Sequence, residues 1–182
     1  MGIAMSRIEQ GWLANFKPGA RLLRFVLNLW PPFRGAGIRV EALSGDFRYA
    51  RIGMKLRLLN RNMWGVHFGG SLFAMTDAFY SIMLKQNLGA DYVVWDKTAT
   101  IDFRKPGRGR VYAEFRLDDA AIEAVRQATQ TGAKHLPELQ VDVMDERGDV
   151  IAAVHKTLYV RRLNTTTQAE VETKAALDET PS

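Results

Sequence analysis

Cysteine is absent from the 182-residue chain, which excludes disulfide scaffolds, Cys-ligated zinc or iron–sulfur sites, and thiol nucleophiles. Histidine is scarce: His67, His135 and His155 never fall at i, i+4 or another metal-ligand spacing, so no metal site is expected. No run reaches the ~18 uncharged apolar residues that a membrane helix needs. The nearest, residues 62–84, is interrupted by Gly65, Gly69, Gly70 and Asp77. The first residues lack a basic start followed by a long apolar run, so no signal peptide is expected and the chain reads as soluble and cytoplasmic. What is present is a globular composition with 47% hydrophobic residues. A chain of this length suits one domain and can bury roughly 70% of its unfolded surface.

Charge is unevenly placed. Residues 164–182 carry Glu170, Glu172, Asp178 and Glu179 against Lys174, a balance of −3, so the remainder holds +8 of a net +5. A basic body suits nucleic acid, an acidic membrane surface or a phosphorylated small ligand.

Residues 7–16 and 18–30 pattern as two short helices broken at Pro18, with Pro31-Pro32 ending the second. The second places Leu22, Leu23, Val26, Leu27 and Trp30 on one side, expected to pack on the body; a membrane-surface helix is the competing reading. Strand alternation follows at 38–42 and 51–58, then a loop at 60–65. From Gly69 to about Leu88 the period becomes helical, with Leu72, Met75, Phe79, Ile82 and Met83 in a stripe widened by Phe73, Tyr80 and Leu84. So broad an apolar face predicts one long helix wrapped by a sheet. Strands return at 100–104 and 111–117 with a Pro106-Gly107 turn between them, then a helix at 120–130 capped by Asp118-Asp119, then a hairpin over 139–161. The chain is therefore expected to be α+β: an antiparallel sheet around one long central helix, the hotdog arrangement, preceded by N-terminal helices. Its expected organisation is an N-terminal helical extension at 1–36, a hotdog domain at 37–163 and a disordered acidic tail at 164–182.

Between Arg61 and Lys85 the only formal charge is Asp77. Its helical neighbours Phe73, Tyr80, Ser81 and Leu84 place it among apolar groups, where an unpaired carboxylate costs several kcal/mol. Such a group is a candidate base or nucleophile; the competing reading is a loop cap or a partner for a distant Arg. Gly69-Gly70-Ser71 opens the helix, where free amides could polarise a carbonyl and glycine lets a ligand approach closely. Arg104, Lys105, Arg108 and Arg110 place four cations around Pro106-Gly107, either as a solvated turn or as a clamp for the phosphates of coenzyme A. No stacking aromatic platform accompanies them, so nucleic acid is not expected.

Asn62, Gly65, Gly69-Gly70 and Asp77 together resemble the signature of hotdog-fold acyl-CoA thioesterases of the phenylacetyl-CoA thioesterase type. In that family an Asn precedes His-Gly-Gly by six residues and an acid follows the second Gly by seven. Thr100-Ile101-Asp102-Phe103-Arg104-Lys105-Pro106 and Val154-His155-Lys156-Thr157 resemble later strands of the family, and the resemblance spans about residues 38–162. The chain departs at one position: the family His is Phe68 here, and His67 is displaced by one.

The resemblance implies an acyl-CoA thioesterase with Asp77 as base or nucleophile, Gly70 polarising the carbonyl and Asn62 positioning water or the carbonyl. His67, Phe68 and Gly69 would line the substrate. It implies no cofactor beyond the coenzyme A of the substrate, and a homodimer or dimer of dimers in which the acid of one chain faces the Gly-Gly of the other. A hydrophobic acyl pocket is expected from Met63, Trp64, Phe68, Phe73 and Met75. The alternatives are a non-catalytic acyl-CoA or lipid-binding hotdog protein, favoured by Phe68, and a dehydratase or hydratase of the same fold.

Overall fold

A computed structural model describes residues 18–163. The expected helix at 7–16 and the acidic tail at 164–182 lie outside the described residues. Two short helices, α1 (Ala20–Leu29) and α2 (Pro31–Ala36), precede strands β1 (Ile38–Leu43) and β2 (Tyr49–Lys55). Helices α3 (Gly69–Ala74) and α4 (Phe79–Leu88) follow, then β3 (Tyr92–Phe103), β4 (Arg110–Arg116) and helix α5 (Asp119–Ala128). Strands β5 (Lys134–His135), β6 (Glu138–Asp145) and β7 (Val150–Arg162) complete the order. The strands form one antiparallel sheet in the order β1-β2-β4-β6-β7-β3, with β5 beside β7. The sheet wraps the segment 69–88, which is the hotdog arrangement.

Alternation places the core. Ala50, Ile52 and Met54 of β2, Val111, Ala113 and Phe115 of β4, and Ala152, Val154, Leu158 and Val160 of β7 are buried facing the helical segment. Phe79 of α4 packs on Phe33 and Phe115, at ring separations of 6.1 and 5.2 Å, and Tyr80 meets Phe115 edge-on at 5.0 Å. Asp118 caps α5 as expected, its side chain accepting from the Ala121 amide at 2.7 Å. Among the described residues no helix is long and apolar enough to cross a membrane.

Three expectations are corrected. The central helix is interrupted between Ala74 and Phe79, because the Thr76 and Asp77 amides bond back to Phe73 and Ala74 at i−3 and the helical ladder stops there. The 104–109 segment is not a hairpin turn: β3 pairs with β7, whereas β4 pairs with β2 and β6. The segment instead crosses between strands, tied by the Arg104 amide to Ile151 O, the His67 amide to Gly107 O and the Leu56 amide to Gly109 O. Finally, α1 is rotated about its axis relative to the expected face. Leu27 is buried and Leu23 partly so, but Leu22, Val26 and Trp30 are exposed. The rotation lets Asn28 exchange two hydrogen bonds with the backbone of Val40, whose carbonyl also accepts from Arg24 Nε. These bonds cover the outer edge of β1 that would otherwise stay unpaired.

Candidate functional site

At the break in the helical segment a polar cluster meets the sheet's inner face. Lys156 occupies an inward position of β7 in the row Ala152, Val154, Lys156, Leu158, Val160, and its side chain is 0% exposed. Its Nζ donates to the carbonyls of Thr76, at 3.1 Å, and of Asp77. These are carbonyls that the interrupted helix leaves without amide partners, so a buried cation takes over their satisfaction. Asp96 of β3 supplies the countercharge: its Oδ1 lies 2.9 Å from Lys156 Nζ, an ion pair without hydrogen-bond alignment. Its Oδ2 lies 3.2 Å from the Ser81 hydroxyl, placed to accept a hydrogen bond.

Asp77 stands at the rim of this cluster. Its carboxylate is 66% exposed and 3.7 Å from Lys156 Nζ. The expectation of a carboxylate buried among apolar groups without a partner is therefore corrected: the helix break turns Asp77 out to solvent, and its partner is a lysine. Lys156, Asp96 and Ser81 were not singled out from the sequence. A signal existed, since Lys156 interrupts an otherwise aliphatic alternation, and a charge in an inward row needs a partner.

The helix start is built differently. Phe68 precedes α3, and its carbonyl accepts from the Ser71 and Leu72 amides. The Gly69 and Gly70 amides have no acceptor among the described residues, as the first turn of a helix requires. A Cβ on Gly70 would lie 2.5 Å from Phe68 Cε1, and one on Gly69 3.0 Å from Phe103 Cζ, so both rings rest directly on glycine backbone. Asn62 serves its own loop: its Oδ1 accepts from the Trp64 and Val66 amides, at 3.0 and 3.2 Å. Within the described chain no hydrogen bond or ion pair joins Asp77 to Asn62, His67, Gly69 or Gly70.

His67 points away from the helix start, into the protein. It is buried against Gly107, and its Nε2 lies 3.1 Å from the Gly109 carbonyl. A carbonyl only accepts, so Nε2 carries the proton and Nδ1 is left as an unpartnered acceptor. Burial pushes the imidazole below its ordinary pKa, opposed by the Gly109 hydrogen bond. The unfolded chain therefore binds a proton that the folded chain refuses. Stability is expected to fall as pH drops below the unfolded value of about 6.5 towards the depressed folded value, and to depend less on His67 beyond it. Urea melts across this range should show a shallower loss in His67→Gln; equal slopes would remove His67 as the cause.

The four expected clamp cations diverge. Arg104 pairs with Asp102 at 2.8 Å, Lys105 with Asp149 at 2.8 Å and Arg110 with Glu41 at 2.5 Å. The Glu41 hydrogen bond holds the Arg110 pKa above its ordinary value. Arg108 is exposed and has no ion pair among the described residues. Of the expected acyl-pocket residues, Met75 is core, Phe73 half-buried, and Met63, Trp64 and Phe68 are exposed. A groove of about 200 Å³ beside the helix start is lined by Ala36, Leu59, Arg61, Phe68 and Ser71, among others. A larger one of about 390 Å³ includes Thr98, Thr100, His155 and Thr157, whose side chains leave the sheet on the face opposite Lys156 and the helices.

Fold and site together define a hotdog-fold α+β protein with a lysine-bound helix break beyond a glycine-rich helix start. The chain belongs to the family of domain of unknown function DUF4442, whose model matches residues 19–160. No curated protein matches it. Among solved structures it is similar to a Pseudomonas aeruginosa protein of unknown function described as a probable thioesterase. The two share 23% identity and a TM-score of 0.72, over 81% of this chain and 98% of that one. A thioesterase from Haemophilus influenzae matches at 16% identity and a TM-score of 0.59, covering 81% and 94% of the two chains. A mutant thioesterase from Pseudomonas aeruginosa matches at 16% and 0.59, covering 82% and 98%. Likeness at these identities concerns the fold.

Proposed function

We propose that the protein hydrolyses an acyl-CoA thioester, with Asp77 as its acid–base or nucleophilic group. The observation that carries this reading is the Asp77 carboxylate, open to solvent at a helix break and seven residues beyond the unpaired amides of Gly69-Gly70. With Asp77 as base, it takes a proton from water as the oxygen bonds to the thioester carbon. The Gly70 amide stabilises the developing oxyanion, and the C–S bond then breaks as Asp77 returns the proton to the leaving sulfur, giving a carboxylic acid and a thiol. The site is completed by a second copy, Asp77 of one chain facing Gly69-Gly70 of the other. This accords with the absence of any bond between these groups within the described chain. It also accords with the outer edge of β3, which pairs with no strand among the described residues, and with the exposed rings of Phe68 and Phe103. Ultracentrifugation is expected to give a dimer or dimer of dimers at micromolar concentration; a monomer contradicts this assembly.

Arg108 is the cation left to meet a coenzyme A phosphate, since its three neighbours are held by acids. Arg108→Ala is expected to raise KM for acyl-CoA by about fivefold and spare kcat, the signature of uniform binding by an exposed charge. With the same acyl group on pantetheine, which lacks the adenosine phosphates, KM should not change. Equal loss on both substrates would show disturbance of the 104–109 crossing instead.

The test of the function is thiol release by the full chain across acyl-CoAs from acetyl to palmitoyl. Turnover at one or more lengths is expected; none at any length contradicts hydrolysis. A second reading, an acyl-CoA binder without turnover, is favoured by Phe68, whose ring rests on the Gly70 backbone where a thioester carbonyl would have to enter.

A further inference from the structure

Helix α1 turns an apolar stripe away from the other described residues. Leu22, Phe25, Val26 and Leu29 follow the i, i+3, i+4, i+7 spacing of one helix face and are 48%, 62%, 39% and 49% exposed. Trp30, at the helix end, is 46% exposed. The opposite face already meets the body through Ala20, Leu27 and the Asn28–Val40 hydrogen bonds, so the stripe is not a core face left loose.

The sequence that carries the stripe has charge of one sign. From Pro18 to Val40 there is no Asp or Glu, while Arg21, Arg24, Arg34 and Arg39 are exposed and form no ion pair among the described residues. We propose that α1 docks on an anionic lipid surface, its Leu22/Phe25/Val26/Leu29 stripe and Trp30 entering the headgroup–acyl boundary while the arginines meet lipid phosphates. An apolar helix face flanked by cations and ending in an aromatic residue has the chemistry of an interfacial helix.

Charge and composition argue against other occupants. A second copy packed through the same stripe about a two-fold axis would bring the same arginines together with no acid between residues 18 and 40 to balance them. Residues 1–17 have large apolar side chains, Ile8, Trp12, Leu13 and Phe16 among them, but carry Arg7 and Lys17 against Glu9 and so would leave the arginines unbalanced. The acidic residues 164–182 supply charge, but Val171 and Leu177 are their only large aliphatic residues, too few to match the stripe.

Flotation of the full chain with vesicles tests this. The protein should float with equal parts phosphatidylcholine and phosphatidylglycerol, weakly with phosphatidylcholine alone, and less as salt rises. Phe25→Ser with Leu29→Ser should weaken the partition by roughly tenfold or more. Both side chains are exposed, so the melting temperature should hold. Arg21→Gln with Arg34→Gln tests the cations separately and should weaken anionic-vesicle binding while leaving the stripe intact. The proposal is overturned if wild type does not float with anionic vesicles, or if both double variants float as wild type does. It is also overturned if Phe25→Ser with Leu29→Ser converts an oligomer to a monomer, which would make the stripe a contact between copies.

Discussion

Lys156→Met is expected to destabilise the fold by about 3 kcal/mol, seen as a fall in melting temperature of roughly 6–12 °C. The ammonium is wholly buried, yet it holds two backbone carbonyls and Asp96 at once. Methionine fills a similar volume but donates nothing. The Thr76 and Asp77 carbonyls then lose their donor, and Asp96, only 24% exposed, keeps a charge without a partner. Removing both charges together should recover part of the loss, because the remaining penalty of an uncompensated carboxylate disappears. Thermal melts of Lys156→Met and of Lys156→Met with Asp96→Leu measure this. A single variant melting within about 2 °C of wild type would mean that water replaces the lysine and that the helix break does not depend on it.

Asp77→Asn should lower turnover by about 10²–10⁴ while leaving the fold nearly intact. Its carboxylate is mostly exposed and 3.7 Å from the buried Lys156 ammonium, so solvent on the carboxylate side screens the pair and leaves it worth on the order of 1 kcal/mol. Asparagine keeps the shape, and the lysine keeps its bond to the backbone carbonyl of residue 77, but the amide can neither take a proton from water nor attack as a carboxylate. The two variants thus separate two proposed roles around one ammonium: Lys156 holding the turn, and Asp77 serving the proposed hydrolysis. A large fall in melting temperature with turnover per folded molecule preserved would make Asp77 a structural partner.

Local signals located much of this architecture. Alternation in β4 and β7, the 139–161 hairpin and the Asp118 cap depend on near neighbours, and each stands where its residues indicate. The alternation expected over 51–58 holds only as far as Lys55, and Leu58 is exposed. The misplacements come from distant partners. Thr76-Asp77-Ala78 fits a continuous helix in isolation; a lysine about eighty residues away holds the carbonyls of its break. Because the helical wheel assumed no break, it put Asp77 inside. Pro106-Gly107 carries a genuine turn signal, but strand order in the whole sheet sends β3 to one edge and β4 to the interior, so the turn becomes a crossing. The Asn62, Gly69-Gly70 and Asp77 spacing fell on a loop, a helix start and a helix break. The spacing could not reveal that Asn62 is occupied by its own loop and His67 by Gly109.

Product analysis tests the proposed thioester hydrolysis most directly. The full chain is incubated with an acyl-CoA, and free coenzyme A, free acid and residual acyl-CoA are quantified together by mass spectrometry. One carboxylic acid is expected for each thiol released, with both nearly abolished in Asp77→Asn prepared alongside. An acyl-CoA that gains or loses one water with its thioester intact, or that is recovered unchanged from a folded, acyl-CoA-binding protein, would contradict hydrolysis.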